Sequence, residues 1–380
     1  MQINSKLPKT ETSIFAVMSG FANRYGAINL SQGFPDFPIS RDLINLVHQY
    51  MLVDKNQYAP MPGVPELRQA ITGKVKKLYD KEVNPDTEIT ITAGATQALF
   101  TAITAFIHQG DEAIIFEPAY DSYDPAIKLN GGITKYISLP APDFKIDWNV
   151  VAQKVNAKTK LIIINTPNNP GGFVFTEADM KALNDITKNT NIVVISDEVY
   201  EHIIFDGLQH QSALRFDELY QRTLAVYSFG KTFHATGWKT GYVIAPEALT
   251  NEFRKVHQFN VFSVNTPIQY ALAEYLQNPD NYLGLPEFYQ AKRDFLIAHL
   301  SGSRFKIIPS HGTYFQLLDY SAISGMNEYD FAVWMTKEKG VAAIPVSAFY
   351  HDKKNQHILR FAFPKEEETL LKATEILRKI

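Results

Sequence analysis

Cysteine is absent from this chain of 380 residues, which excludes disulfides, cysteine-ligated zinc and thiol catalysis. No run approaches the ~18 consecutive apolar residues of a membrane-spanning helix. Met1-Gln-Ile-Asn-Ser-Lys6 lacks the apolar centre of a signal peptide, so a cytoplasmic protein with no membrane partner is expected. Excess charge is lacking too. A net charge of −3 gives no reason to expect nucleic acid or an anionic membrane as partner. Internal repeats, low-complexity tracts and a flexible linker are missing, and no metal site is expected. What remains is a chain long enough for two domains sharing an interface. Its charged residues at 20% and hydrophobic ones at 45% are ordinary for a globular protein.

The most informative stretch is Tyr227-Ser-Phe-Gly-Lys-Thr-Phe-His-Ala-Thr-Gly-Trp-Lys-Thr-Gly-Tyr242. The apolar run Thr223 to Phe229 has the length and composition of a buried strand. It ends at Gly230, and Lys231 follows at once. A lysine there is most often a solvated loop residue. Against an apolar edge, desolvation lowers its pKa and frees the amine as a nucleophile able to form a Schiff base. Ser228 and Lys239 add a hydroxyl and a cation suited to an anion such as phosphate.

Other stretches carry single signals. Thr12 to Tyr25 reads as a short amphipathic helix ended by Gly26, and Ile28 to Phe37 as a loop turning around Gly33 and Pro35. Glu88 to Thr92 alternates like a strand and passes through Ala93-Gly-Ala-Thr96 into an apolar helix. Such a turn presents free N–H groups and a positive dipole end to an anion. Tyr120 follows the short strand Ala113 to Phe116, where an aromatic is more often core than cofactor platform. Asp197 ends an apolar strand and needs a cation there, either a Lys or Arg or something bound. Arg360 interrupts the apolar strand His357 to Phe363, so it is paired or faces a cavity. Strand candidates between Ile89 and Tyr242 alternate with helical segments, which argues a mainly parallel sheet covered on both faces.

The Ser228 to Tyr242 motif resembles the cofactor lysine motif of class I/II aminotransferases, the pyridoxal-phosphate enzymes of fold type I. The likeness continues through Asn165-Thr-Pro-Asn-Asn-Pro-Gly-Gly172, where Gly171 departs from the family pattern, and through Asp197-Glu-Val-Tyr200. It covers nearly the whole chain, from Phe15 to Arg360. The resemblance implies that Lys231 carries pyridoxal 5'-phosphate and shuttles the substrate proton as general base and acid. The phosphate would be held by Ala95, Thr96, Ser228 and Lys239, with Tyr120 stacked on the ring. Asp197 would keep the ring nitrogen protonated, and Tyr200 and Asn169 would face the phenolic oxygen. Gly33, Asn169 and Arg360 would bind the substrate carboxylate, a guanidinium giving the fork that a lysine lacks.

It further implies a large α/β domain over residues 41–265, with a mainly parallel sheet flanked by helices. A smaller α/β domain is expected from residues 266–380, joined by the N-terminal segment 1–40. Within the kynurenine/glutamine aminotransferase subgroup, Ser31-Gln-Gly-Phe-Pro-Asp-Phe37, Asn56-Gln-Tyr-Ala-Pro-Met61 and Phe262-Ser-Val-Asn-Thr-Pro267 are most similar to bacterial members that use methionine. By that likeness Phe15, Tyr58 and Phe262 form an apolar pocket that suits a thioether. Tyr58, also expected to touch the cofactor, and Phe262 would reach in from the second subunit of a homodimer. The expected reaction moves the amino group of a large neutral L-amino acid, methionine for preference, to a 2-oxo acid in ping-pong half-reactions. Ser263 stands where kynurenine-using relatives can carry histidine. The rival readings are a kynurenine, glutamine or aromatic aminotransferase, a cysteine-S-conjugate β-lyase, and a non-catalytic binding protein.

Overall fold

The computed structural model describes residues 1, 3–8 and 10–380. Its centre is a seven-stranded sheet in the spatial order Ile89–Thr92, Gly241–Ile244, Thr223–Ser228, Val193–Asp197, Thr159–Asn165, Glu112–Glu117, Ile133–Ser138. Only Gly241–Ile244 runs antiparallel to its neighbours. The mixed α/β class and mainly parallel sheet expected from the sequence are present. Thr159–Asn165 shows why its apolar run is continuous. Ile162 and Ile164 enter the core beside Phe175, Met180 and Leu183, while Leu161 and Ile163 enter the opposite core beside Leu99 and Ile103. A strand covered on both faces has no solvent side on which to place polar residues.

Four parallel strands end at Glu117, Asn165, Asp197 and Ser228, all at one edge of the sheet. Thr92 ends at the same edge, and the helix Ala95–Phe106 starts there. That carboxyl edge is where open α/β sheets place their ligands.

The C-terminal part builds a four-stranded antiparallel sheet in the order Ile344–Pro345, Ile358–Ala362, Phe315–Asp319, Lys306–Ile308. The N-terminal segment is stitched to it. Ile28–Asn29 pairs in parallel with Val341–Ala342, Ala362 N–H donates to Leu30 O at 2.8 Å, and Lys365 Nζ donates to Phe34 O at 2.8 Å.

One local expectation changes. Ile28 and Asn29, read as the start of a loop, form a two-residue strand because Val341 and Ala342 supply the partners. The stretch Val341 to Ile344 is extended but splits at Ala343, because its halves pair with different neighbours. Glu328 to Lys339 is α-helical to Trp334 and π-helical over Met335–Lys339. Among the described residues no helix is long and apolar enough to cross a membrane.

Candidate active site

Lys231 lies in the single helical turn Phe229–Thr232 that follows the strand Thr223–Ser228. Phe229 and Phe233 stack at 6.0 Å and are buried, which directs the intervening lysine outward from the core. Gly230 has no room for a side chain, since a Cβ would lie 3.0 Å from Thr236 Cα and 3.2 Å from Ala235 O. Lys231 Nζ donates to Gly33 O at 3.1 Å. Burial first, then the cations of Arg360 and Lys239, lower its pKa to about 8, against the pull of Asp197. Roughly a tenth of the amine is thereby free at pH 7, where an ordinary lysine is almost wholly protonated.

Asp197 ends the strand Val193–Asp197 and is 3% exposed. Tyr123 donates its hydroxyl to Oδ2 at 2.5 Å and Val199 N–H to Oδ1 at 3.3 Å. Burial outweighs both bonds and raises the carboxyl to about 6. Among the described residues no lysine or arginine forms an ion pair with it. Of the two alternatives for Asp197, a structural lysine or arginine partner is therefore absent among the described residues.

Asn165 donates from Nδ2 to Asp197 O at 3.0 Å and accepts Asn169 N–H at 2.8 Å, fixing the loop that carries Asn169. Arg360 then donates from Nη1 to Asn169 Oδ1 and from Nη2 to Ser31 O, each at 2.8 Å. Its Nε has no partner, and the guanidinium lies 3.8 Å from the Phe315 ring centre and 5.1 Å from that of Phe15. A cation that is 1% exposed, acted on by the Asp121 carboxylate from a distance but in ion-pair contact with no carboxylate among the described residues, suits an anionic ligand. Burial lowers its pKa, yet it stays charged at neutral pH.

A second anion cradle lies beside Lys231. Gly94 adopts φ +77°, which glycine reaches without strain, and hands the chain into the helix Ala95–Phe106. The first hydrogen bond of that helix is from Ala98 N–H to Gly94 O at 3.2 Å. The N–H groups of Ala95 and Thr96 therefore remain for a ligand. Gly241 lets the next strand close in, since a Cβ there would lie 2.5 Å from Tyr227 O and 3.2 Å from Ala95 N. Ser228 and Lys239 complete the cradle.

These groups share one cavity of ≈ 350 Å³. Phe15, Gly33, Ala95, Thr96, Tyr120, Asn169, Asp197, Tyr200, Ser228, Lys231, Lys239 and Arg360 all line it. Tyr58 and Phe262 do not. They lie on the surface, 83% and 47% exposed, with ring centres 5.6 Å apart. Ser263 donates to Ala59 O at 3.0 Å and ties their two segments together. Sequence reasoning misses Tyr123, Asn165 and Phe315. Tyr123 had one available signal, its place three residues beyond Tyr120, on the helix Tyr123–Leu129 that carries it to Asp197.

Among the described residues there is no cluster of metal-ligating side chains. The donor set does fit pyridoxal phosphate. A depressed lysine amine matches the aldehyde, the N–H and hydroxyl cradle matches the phosphate, and a buried carboxylate lacking a cation matches the ring nitrogen.

Comparison with known proteins agrees. The family model described as aminotransferase class I and II matches residues 25–377. A methionine aminotransferase of Escherichia coli is 50% identical over 377 residues, covering 99% of this chain and 98% of that protein. Kynurenine–oxoglutarate transaminase 1 of rat is 34% identical, covering 98% of this chain and 97% of the relative. Among solved structures, an E. coli protein identified as having a methionine aminotransferase function superposes with a TM-score of 0.98 at 50% identity, covering all of both chains. The N-succinyldiaminopimelate aminotransferase of Mycobacterium tuberculosis superposes at 0.94 with 34% identity, again over all of both chains. Members of the matched family depend on pyridoxal phosphate. The chain belongs to the aminotransferase class I and II family and is a transaminase.

Proposed function

We propose that this transaminase uses pyridoxal phosphate bound at Lys231 to move the amino group of methionine, or a similar large neutral amino acid, to a 2-oxo acid. The observation that carries the reading is the single cavity in which a depressed lysine amine, a carboxylate with no cation in ion-pair contact and an arginine with a free Nε face one space. When bound, the cofactor supplies an electron sink for the carbanion left by removal of the α-proton.

The chain's own groups do the rest. Lys231 would hold the cofactor between turnovers and move the α-proton as base and then acid. Asp197 would hold the proton of the ring nitrogen, and Tyr123 keeps the carboxylate aimed. Ala95, Thr96, Ser228 and Lys239 would hold the phosphate. Tyr120 would hold the ring, and Tyr200 and Asn169 its phenolic oxygen. Arg360, Asn169 and Gly33 orient the substrate carboxylate. Phe15, beside Arg360, supplies apolar wall for a thioether side chain. The cavity's two lysines, Lys231 and Lys239, would be taken by cofactor and phosphate, which among the described residues leaves no lining cation for a side-chain carboxylate.

We also propose a homodimer in which Tyr58 and Phe262 complete the neighbour's site. The support is their exposure and their irregular, proline-bearing segments. The same reading divides the chain into 41–265 and a smaller unit of 1–40 with 266–380. In its favour, the seven-stranded sheet lies within the first range and the four-stranded sheet within the second.

A donor panel with one fixed 2-oxo acid tests the substrate, methionine being the expected preferred donor. Borohydride trapping followed by peptide mass should place the cofactor on Lys231 and find none in Lys231→Ala. A clear preference for kynurenine would overturn the methionine assignment. Pyruvate released from cysteine S-conjugates without an oxo acid would reveal lyase activity.

A further inference from the structure

The turn that carries Lys231 is held from the C-terminal half of the chain by two tyrosines. Tyr314, immediately before the strand Phe315–Asp319, donates its hydroxyl hydrogen to the Lys231 carbonyl. Tyr289, on the helix Leu285–His299, has its hydroxyl 3.1 Å from that of Tyr314 and 2.6 Å from His234 Nδ1. Both tyrosines are fully buried.

The hydrogens can be counted. A phenol has one hydrogen to give, and a carbonyl has none. Tyr314 must spend its hydrogen on the Lys231 carbonyl, so the contact between the two phenols needs the hydrogen of Tyr289. Tyr289 then has nothing left for His234, and the imidazole must donate from Nδ1. We propose that His234, Tyr289 and Tyr314 form a one-way hydrogen-bond chain ending on the Lys231 carbonyl. All three are positioning residues that set the catalytic amine against the C-terminal half of the molecule.

Other features agree. Burial, with Lys292 second, lowers His234 to about 4, so the ring is neutral and carries a single N–H. Its ring stands edge-on to Phe37 at 4.9 Å. His234 adopts φ +59°, a left-handed conformation uncommon outside glycine, so the surroundings impose the turn. Consecutive hydrogen bonds polarise one another in a dry interior, which strengthens the last one on the carbonyl. An amine that shuttles a proton between fixed atoms depends on such placement, because small displacements of reacting groups are costly in rate.

The inference rests on Lys231 being the reacting amine, and its test separates the two. Histidine-selective ¹⁵N NMR of the cofactor-free chain, assigned with His234→Gln, should show the Nδ1–H tautomer at His234. Tyr289→Phe removes the acceptor and should shift the ring to Nε2–H. Tyr314→Phe keeps the ring and should lower kcat about tenfold while KM for methionine stays within about twofold. The kinetic isotope effect with α-deuterated methionine should rise in the same variant. An Nε2–H tautomer in the unmodified protein would overturn the chain, whether or not the variants fold. A folded Tyr314→Phe with unchanged kcat and isotope effect would overturn its positioning role. Failure of the proposed function looks different, since the unmodified protein would then neither trap the cofactor nor transaminate.

Discussion

Tyr123 donates to Oδ2 of Asp197 at 2.5 Å, and the two side chains are 2% and 3% exposed. This phenol is the strongest of the bonds that hold the carboxyl down against desolvation. Tyr123→Phe should raise the Asp197 pKa further, shift the acid limb of the kcat profile to higher pH and lower kcat roughly tenfold. A pH–rate profile matching the parent's would show that the bond only packs the helix.

Asp197 also couples stability to pH in the cofactor-free chain. Its folded pKa of about 6 lies above the reference value of 3.8, so the native state holds the proton more tightly than the unfolded chain does. Its contribution is complete below the lower value and lost as pH rises through the higher one. Asp197→Asn should therefore be the more stable protein near neutral pH, by up to about 3 kcal/mol, and lose that advantage toward about pH 4. Urea unfolding at both ends of the range checks this. A pH-independent difference would mean that the carboxyl is not strained by burial.

For Lys231 the folded pKa lies below its ordinary value, at about 8 rather than 10.5. Cofactor capture by the free amine should accelerate with pH and level off above about 8. Arg360→Met removes the largest opposing charge and should move the midpoint upward. Stopped-flow absorbance of the cofactor-free protein reads both, and a midpoint that ignores Arg360 would break the link.

Arg360→Lys replaces a fork by a point charge. KM for the amino donor should rise on the order of a hundredfold, a loss of about 3 kcal/mol, with cofactor affinity nearly unchanged because Arg360 touches Asn169 and Ser31 rather than the phosphate cradle. Fluorescence titration with pyridoxal phosphate would expose an equal loss of cofactor, which would point to folding instead.

The dimer reading is tested by mixing Lys231→Ala with Tyr58→Ala. If Tyr58 serves the neighbouring site, hybrids contain one site with both residues intact and activity returns. Verified hybrids that recover nothing, from an inactive Tyr58→Ala, would confine Tyr58 to its own chain.

The legible part of the site consists of charges placed where charges are costly. Asp197 ends an apolar strand, Arg360 interrupts one and Lys231 follows one, and burial forces a reason upon each. Tyr123 and Asn165 act through polar bonds to Asp197, and in a sequence a tyrosine opening a helix or an asparagine closing a strand looks like any other turn residue. The hydrogen-bond chain from His234 joins residues 55 and 25 positions apart, a closure no local pattern encodes. The sheet's edge strand Ile133–Ser138 is faint for a different reason. It is mostly half-buried and carries Lys135 and Tyr136, so it lacks the unbroken apolar run that marks Thr159–Asn165.

Because Leu30, Phe34 and Asp36 are hydrogen-bonded to Ala362, Lys365 and Glu366, the segment with Gly33 rides on the piece that bears Arg360. The wall that would face the substrate is thus a cassette assembled from an early and a late segment of this chain, while the lysine and its carboxylate belong to the stretch between them. An engineer transplanting selectivity from a relative would have to exchange both segments together. Grafting either one alone would set foreign pairing partners along the Ile28–Asn29 and Val341–Ala342 seam.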